Sequence, residues 1–184
     1  MSMITTSEMF EVIVNDPNAW LEQAKKHLYV VKIIANHFKP IVLKSQTETG
    51  IRIAKLACIE SISLHLAFAL ENALKALIIA SQPGLVIVKK GRIDSKVFGG
   101  GKSGHNLLAL SQSAHLDINK QQQDLFKRLT FRAEWAGRYP SPMTETAYVD
   151  SSGKIVFYWT ADIDLVESTL KQIADNVHLL SKSR

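Results

Sequence analysis

Leu64-His65-Leu66-Ala67-Phe68-Ala69-Leu70-Glu71-Asn72-Ala73-Leu74-Lys75-Ala76-Leu77-Ile78-Ile79-Ala80 is the most apolar stretch of the chain. Ile59, Ile62, Leu66, Ala69, Ala73 and Leu77 alternate steps of three and four, the repeat of one helical face. Leu64, Phe68, Leu70, Leu74 and Ile78 widen that stripe around the helix. A helix apolar on most of its sides belongs at the centre of a helical protein. A membrane span wants about 20 residues with few or no charges. His65, Glu71, Asn72 and Lys75 interrupt this run, which therefore reads as the buried helix of a soluble protein. It is expected from about Thr47 to Ala80, with Gly50 a weak spot near its start and Pro83-Gly84 as its stop.

Upstream, Asp16-Pro17 has the chemistry of a helix start. Asp caps the N-terminus, and Pro takes the first helical position, where a missing N–H costs nothing. Trp20, Ala24, Leu28, Val31, Ala35, Phe38 and Val42 form one stripe, which Pro40 is expected to kink or end. Downstream, residues 85–104 break the helical pattern. Leu85-Val86-Ile87-Val88 is strand-like, Lys89-Lys90-Gly91-Arg92 is turn-like and Gly99-Gly100-Gly101 is flexible, so a loop or small hairpin is expected.

A short helix is expected from about His105 to Ala114. Another should run from about Asn119 to Arg138, with Leu125, Leu129, Ala133 and Ala136 inward and Pro140 and Pro142 ending it. Thr146–Val149 and Ile155–Trp159 read as strands around the turn Asp150-Ser151-Ser152-Gly153. A last helix, capped by Thr160 or Asp162, carries Ile163, Val166, Leu170, Ile173, Val177 and Leu180. The fold class that follows is all-α. It is an antiparallel up-down bundle of four long helices plus one short one, with a small β-hairpin insertion.

The length of 184 residues fits one domain, 1–184. The lone Cys58 excludes an intrachain disulfide and a cysteine-built zinc site. Met1-Ser2-Met3-Ile4, soon followed by Glu8 and Glu11, lacks the pattern of a signal peptide, and a cytoplasmic location is the expectation. The net charge is +5. Lys89, Lys90, Arg92, Lys96 and Lys102 against Asp94 place +4 of it in residues 85–104, a segment suited to polyanions such as RNA.

Candidate chemistry is sparse. Gly101-Lys102-Ser103 resembles the end of a phosphate loop, but Lys96 stands where its first glycine should be. His27 and His37, like His105 and His115, are ten apart and out of helical register, so neither a metal site nor a cofactor is expected. Glu71 and Lys75 stand i, i+4 in the favourable order, as helix support or as part of a site. Arg132, Trp135 and Tyr139 are spaced three and four, flanked by Arg128 and Arg138. Such a face can bind phosphate and stack a base, or simply cap the core with arginine stems.

Three segments, in order, carry a resemblance. They are Phe68-Ala69-Leu70-Glu71-Asn72-Ala73-Leu74-Lys75-Ala76-Leu77, Ser103-Gly104-His105-Asn106-Leu107-Leu108-Ala109-Leu110 and Arg138-Tyr139-Pro140. Together they resemble the HEPN superfamily, over about residues 51–140. The resemblance implies an α-helical bundle, usually a homodimer, with a role in RNA or nucleotide binding. Many relatives work in toxin–antitoxin or anti-phage systems, so a partner protein such as an antitoxin is also implied. Active HEPN ribonucleases carry an arginine and, five to seven residues on, a histidine. No arginine here is so followed, and Tyr139 stands seven residues after Arg132. A phenol titrates near pH 10 and is a poor base at neutral pH.

The reading that results is a non-catalytic HEPN-like module binding RNA, a nucleotide or a partner protein. Its candidate ligand-binding residues are Glu71, Lys75, His105, Asn106, Arg132, Trp135 and Arg138. The alternative is a metal-independent endoribonuclease with a rearranged site of Arg132, Arg138, Tyr139 and His105. A third reading is a purely structural interaction module. The first two expect Arg132, Arg138 and His105 to converge on one cleft.

Overall fold

The computed structural model describes residues 5–43, 49–86, 88–89, 91–99, 104–136 and 159–183. The side chains at 38–43, 49, 51–52, 89, 95, 135–136 and 159 are outside that description. The chain is mostly helical, as an all-α protein should be. The strand-like runs expected at 146–149 and 155–158 lie outside the described residues.

Helix α1 spans Thr6–Val14, where the sequence pattern raised no expectation. It is a short helix with its own start signal: Thr5 Oγ1 accepts from the Glu8 backbone N–H, and Glu8 Oε2 accepts from the Thr5 N–H at 2.7 Å. Helix α2 spans Pro17–Leu43, with Asp16 Oδ1 accepting the Asn18 N–H at 2.9 Å. Pro40 does not end it. The helix runs three residues further. A proline forfeits one backbone bond and crowds the preceding turn. Here it stands in the final turn of a long helix, where little helical structure remains to lose.

Helix α3, Thr49–Ser81, is the centre of the molecule. Every residue from Ala73 to Ala80 is buried, as are Ile62, Leu66, Ala67, Ala69 and Leu70. Its largest interface is with α2, and it also meets every later helix. By length and composition the stretch 53–81 is apolar enough to cross a membrane. Within it, however, Glu71 pairs with Lys75 and with His105, which is compatible with a soluble protein.

After α3, strands β1 (Val88–Lys89) and β2 (Arg92–Ile93) pair antiparallel, with Val88 opposite Ile93 and Lys89 opposite Arg92. A 3₁₀ turn, Ser95–Phe98, follows, its start capped by Asp94 Oδ1 accepting from the Lys96 N–H. Gly99 ends the turn in the left-handed region at φ +69°. The segment is more than a decoration: Val86 and Phe98 are each 1% exposed and belong to the core. Asn15 fastens it to α1, donating to the Val86 carbonyl at 2.8 Å and accepting the Val86 N–H at 3.1 Å.

Helix α4 spans Leu107–Ser113 and helix α5 Lys120–Phe131, the latter opened by an Asn119–Gln122 capping box. The α-helix expected to reach Arg138 stops at Phe131, and Arg132–Ala136 winds as a π-helical turn. The wider turn changes the register, so a three-and-four spacing through Arg132 no longer defines one helical face. Helix α6 spans Trp159–Lys182, which puts Trp159 in a helix rather than at a strand end. Neither Thr160 nor Asp162 precedes this helix as a cap; both lie in its first turn. Val166, Ile173 and Val177 of the expected stripe are buried, and Ile163, Leu170 and Leu180 pack against the core at its edge.

Candidate functional site

Gly104 is in the left-handed region at φ +73°, a conformation costly for residues with a Cβ. The chain then enters α4 through His105 and Asn106. Asn106 Oδ1 accepts the Ala109 N–H at 3.0 Å and so caps the helix. The next orphan donor, the Leu107 N–H, is taken by Thr130 Oγ1 of α5 at 3.0 Å. This tight entry carries His105 to α3, where its Nδ1–H donates to Glu71 Oε2 at 2.8 Å.

The other Glu71 oxygen, Oε1, accepts from Lys75 Nζ at 2.6 Å. The side chains of Glu71 and Lys75 are only 8% and 11% exposed, so this is a buried pair and not solvated helix support. Lys75 Nζ also lies 5.3 Å from the ring centre of Phe98 and 5.7 Å from that of Trp20, within cation–π range. Trp20 and Phe98 meet edge to face at 5.4 Å, and Trp20 Nε1 donates to the Val14 carbonyl at 2.9 Å. One charged cluster thus joins the end of α1, the start of α2, the middle of α3, the 3₁₀ turn and the entry to α4. Among the described residues, no buried side-chain nitrogen or oxygen lacks a hydrogen-bond partner.

Glu71, Lys75 and His105 are therefore brought together, and Asn106 stands beside them as a helix cap. These are the residues of the first two segments quoted for the resemblance, some 30 residues apart in sequence. No family model, curated protein or solved structure matches the chain.

Arg132 opens the π-helical turn and is 7% exposed. Burial lowers its pKa from the usual arginine value, and the Glu60 carboxylate on α3 opposes that shift. Glu60 and Glu71 are eleven residues apart, roughly 16 Å along the helix axis. The carboxylates that face Arg132 and His105 thus sit on different levels of α3. Arg128 belongs to neither: its guanidinium grips Asp162 of α6 in a two-pronged pair at 2.6 and 2.8 Å. Around that pair lies a hollow of about 500 Å³, lined also by Asp124 and Asp164, an acidic setting ill suited to phosphate. A second hollow of about 220 Å³, next to the π-helical turn, is lined by Asn106, Lys127, Thr130, Phe131 and Glu134.

Arg92 of the hairpin and Lys96 of the 3₁₀ turn are exposed. Lys90, Lys102, Arg138 and Tyr139 lie outside the described residues, as do the side chains of Lys89 and Trp135. Among the described residues no group of three His, Cys, Asp or Glu side chains could hold a metal ion. The Cys58 thiol is buried, which raises its pKa and leaves it a weak nucleophile.

Sequence spacing missed one constellation. His27 on α2 and His65 on α3 face each other with Nδ1···Nδ1 at 2.9 Å. The histidines were weighed along the chain, ten residues apart, whereas this pair is 38 residues apart and is made by helix packing. The signal for it is that each falls on the apolar face of its own helix, His27 at three and four residues from Ala24 and Val31, His65 at three and four from Ile62 and Ala69.

Proposed function

We propose that this chain is a dimeric, non-catalytic HEPN-like helical bundle, its four longer helices supplemented by the short α1 and α4. It binds a phosphate-bearing ligand, single-stranded RNA or a nucleotide, in the cytoplasm. The observation that carries the reading is the π-helical turn at Arg132–Ala136, wound where the resemblance has its functional arginine. Such turns are less stable than a continuous α-helix and recur at functional sites.

The cluster around Glu71 supports the non-catalytic half of the reading. Both its carboxylate oxygens are engaged, by Lys75 and by His105, which suits a brace between helices better than a general acid or base. Tyr139 in place of histidine removes the base that a metal-free attack by a 2′-hydroxyl would use. Affinity then falls to exposed cations: Arg92 on the hairpin and Lys96 in the 3₁₀ turn, with their basic neighbours in sequence, whereas Arg132 is buried against α3.

The test is fluorescence anisotropy with labelled single-stranded RNA across a salt series, with gel analysis of the same RNA for cleavage. Lys89→Ala/Lys90→Ala/Arg92→Ala should weaken binding and flatten the salt dependence by roughly one unit per lost phosphate contact. The RNA should stay intact. Equal affinity and slope in the triple variant would overturn the role of the hairpin. Cleavage that Arg132→Ala abolishes would replace this reading with the ribonuclease.

A further inference from the structure

The pair of His27 and His65 lies outside the cluster just described. Its rings are half buried between α2 and α3, with centres 5.2 Å apart and Nδ1···Nδ1 at 2.9 Å. Those two distances together define the geometry. The path from ring centre to nitrogen, across the gap and on to the second ring centre is as long as it can be when the two nitrogens point straight at each other. A metal held by both nitrogens would bend that path and bring the centres closer. The arrangement is thus a head-on N–H···N hydrogen bond with room for one proton between the rings.

We propose that His27 and His65 form a proton-sharing clamp that locks α2 to α3 at neutral pH and opens when the pair takes up protons. Gln23 Nε2, 3.3 Å from His27 Nε2, gives the neutral clamp its order. The amide donates to His27 Nε2, His27 Nδ1–H donates to His65 Nδ1, and His65 carries its proton on Nε2. A first added proton can go to His27 Nε2 if the Gln23 amide turns to offer its oxygen. A second has only His65 Nδ1 to go to. That ends its role as acceptor and sets two like charges face to face.

The surroundings act in the same sense. Burial lowers the pKa of both rings, and His65 lowers that of His27 further, while Glu71 on α3 raises it. Glu71 is itself engaged by Lys75 of its own helix and by His105 from the entry to α4. Phe68 presents an uncharged ring to His27 at 5.4 Å. From the side of α6 comes the exposed pair of Glu167 with Lys32 of α2, five residues beyond His27. Arg132 of the π-helical turn has Glu60 as its charge partner on α3. Because the folded pair binds protons less readily than the unfolded chain, stability is full above the ordinary imidazole value of 6.5 and falls as pH drops through it.

The experiment has two arms. Proton NMR of the wild-type ring signals should show the two histidines titrating below 6.5 in coupled steps. Urea midpoints at pH 7.5 and pH 5 should fall further with acid in the wild type than in His27→Gln/His65→Gln. Independent titration of both rings at or above the ordinary imidazole value of 6.5 overturns the clamp. So does a double variant that loses as much with acid as the wild type.

Discussion

Glu71→Gln isolates what the buried cluster contributes. The substitution keeps the size and one acceptor but removes the charge that balances Lys75. The Lys75 side chain is 11% exposed, and its ammonium lies over Trp20 and Phe98. Breaking a buried ion pair by removing one partner costs about 3–5 kcal/mol. The ammonium keeps the Trp20 and Phe98 rings and a glutamine acceptor as partners, so a loss at the low end of that range, about 3 kcal/mol, is expected. With a urea dependence of about 2 kcal/mol per molar for a domain of this class, the midpoint should fall by about 1.5 M. Lys75→Met should cost a similar amount, because it leaves the Glu71 carboxylate half paired. The double variant should cost less than the two singles together, with a coupling of about 2 kcal/mol, since neither charge is then left buried alone. The assay is urea unfolding followed by circular dichroism at pH 7.5, above the range in which His27 and His65 charge. Single costs under about 1 kcal/mol, or costs that simply add, would refute the reasoning and return the pair to ordinary surface support.

Two further expectations follow from the fold. Gly99→Ala should lower stability by more than about 1 kcal/mol in the same assay, because its left-handed φ is strained for alanine and the added Cβ would run into the Ser113 side chain; an unchanged midpoint would contradict this. Light scattering at micromolar concentration should report about twice 20.5 kDa, since Tyr29, Ile33, Ile53 and Leu56 leave apolar surface exposed on α2 and α3; a mass of one chain would contradict the dimer.

The core helix was legible because its signal is redundant. Ile62, Leu66, Ala69, Ala73 and Leu77 stand at helical spacing, and all five are buried. The Asp16-Pro17 start and the Pro83-Gly84 stop were legible for a different reason, as both rest on local backbone chemistry that tertiary packing rarely reverses. Where packing decides, the pattern misled. Pro40 was expected to kink or end α2, and it does not end it. Asp162 looked like a cap, but is 2% exposed and held by Arg128, an interaction that spacing along the chain cannot show. Helix α1 was passed over although Thr5 and Glu8 spell a capping box, because Met9, Phe10, Val12 and Ile13 form no clear inward stripe and remain exposed.

The candidate site divides along the same line. Glu71 and Lys75 are one turn apart, so their pairing could be read directly; that the pair is buried and shared with His105 could not, because it depends on where Gly104 turns the chain. Arg132, Trp135 and Tyr139 were read as one face on the assumption of 3.6 residues per turn. The π-helical turn breaks that assumption at its first member, and Arg132 goes inward against α3. A sequence pattern carries its period only as far as the helix stays regular. The departure here begins at the very arginine that the resemblance would make functional. Turns of this kind recur at functional sites, and that coincidence is why the binding reading is preferred to the purely structural one.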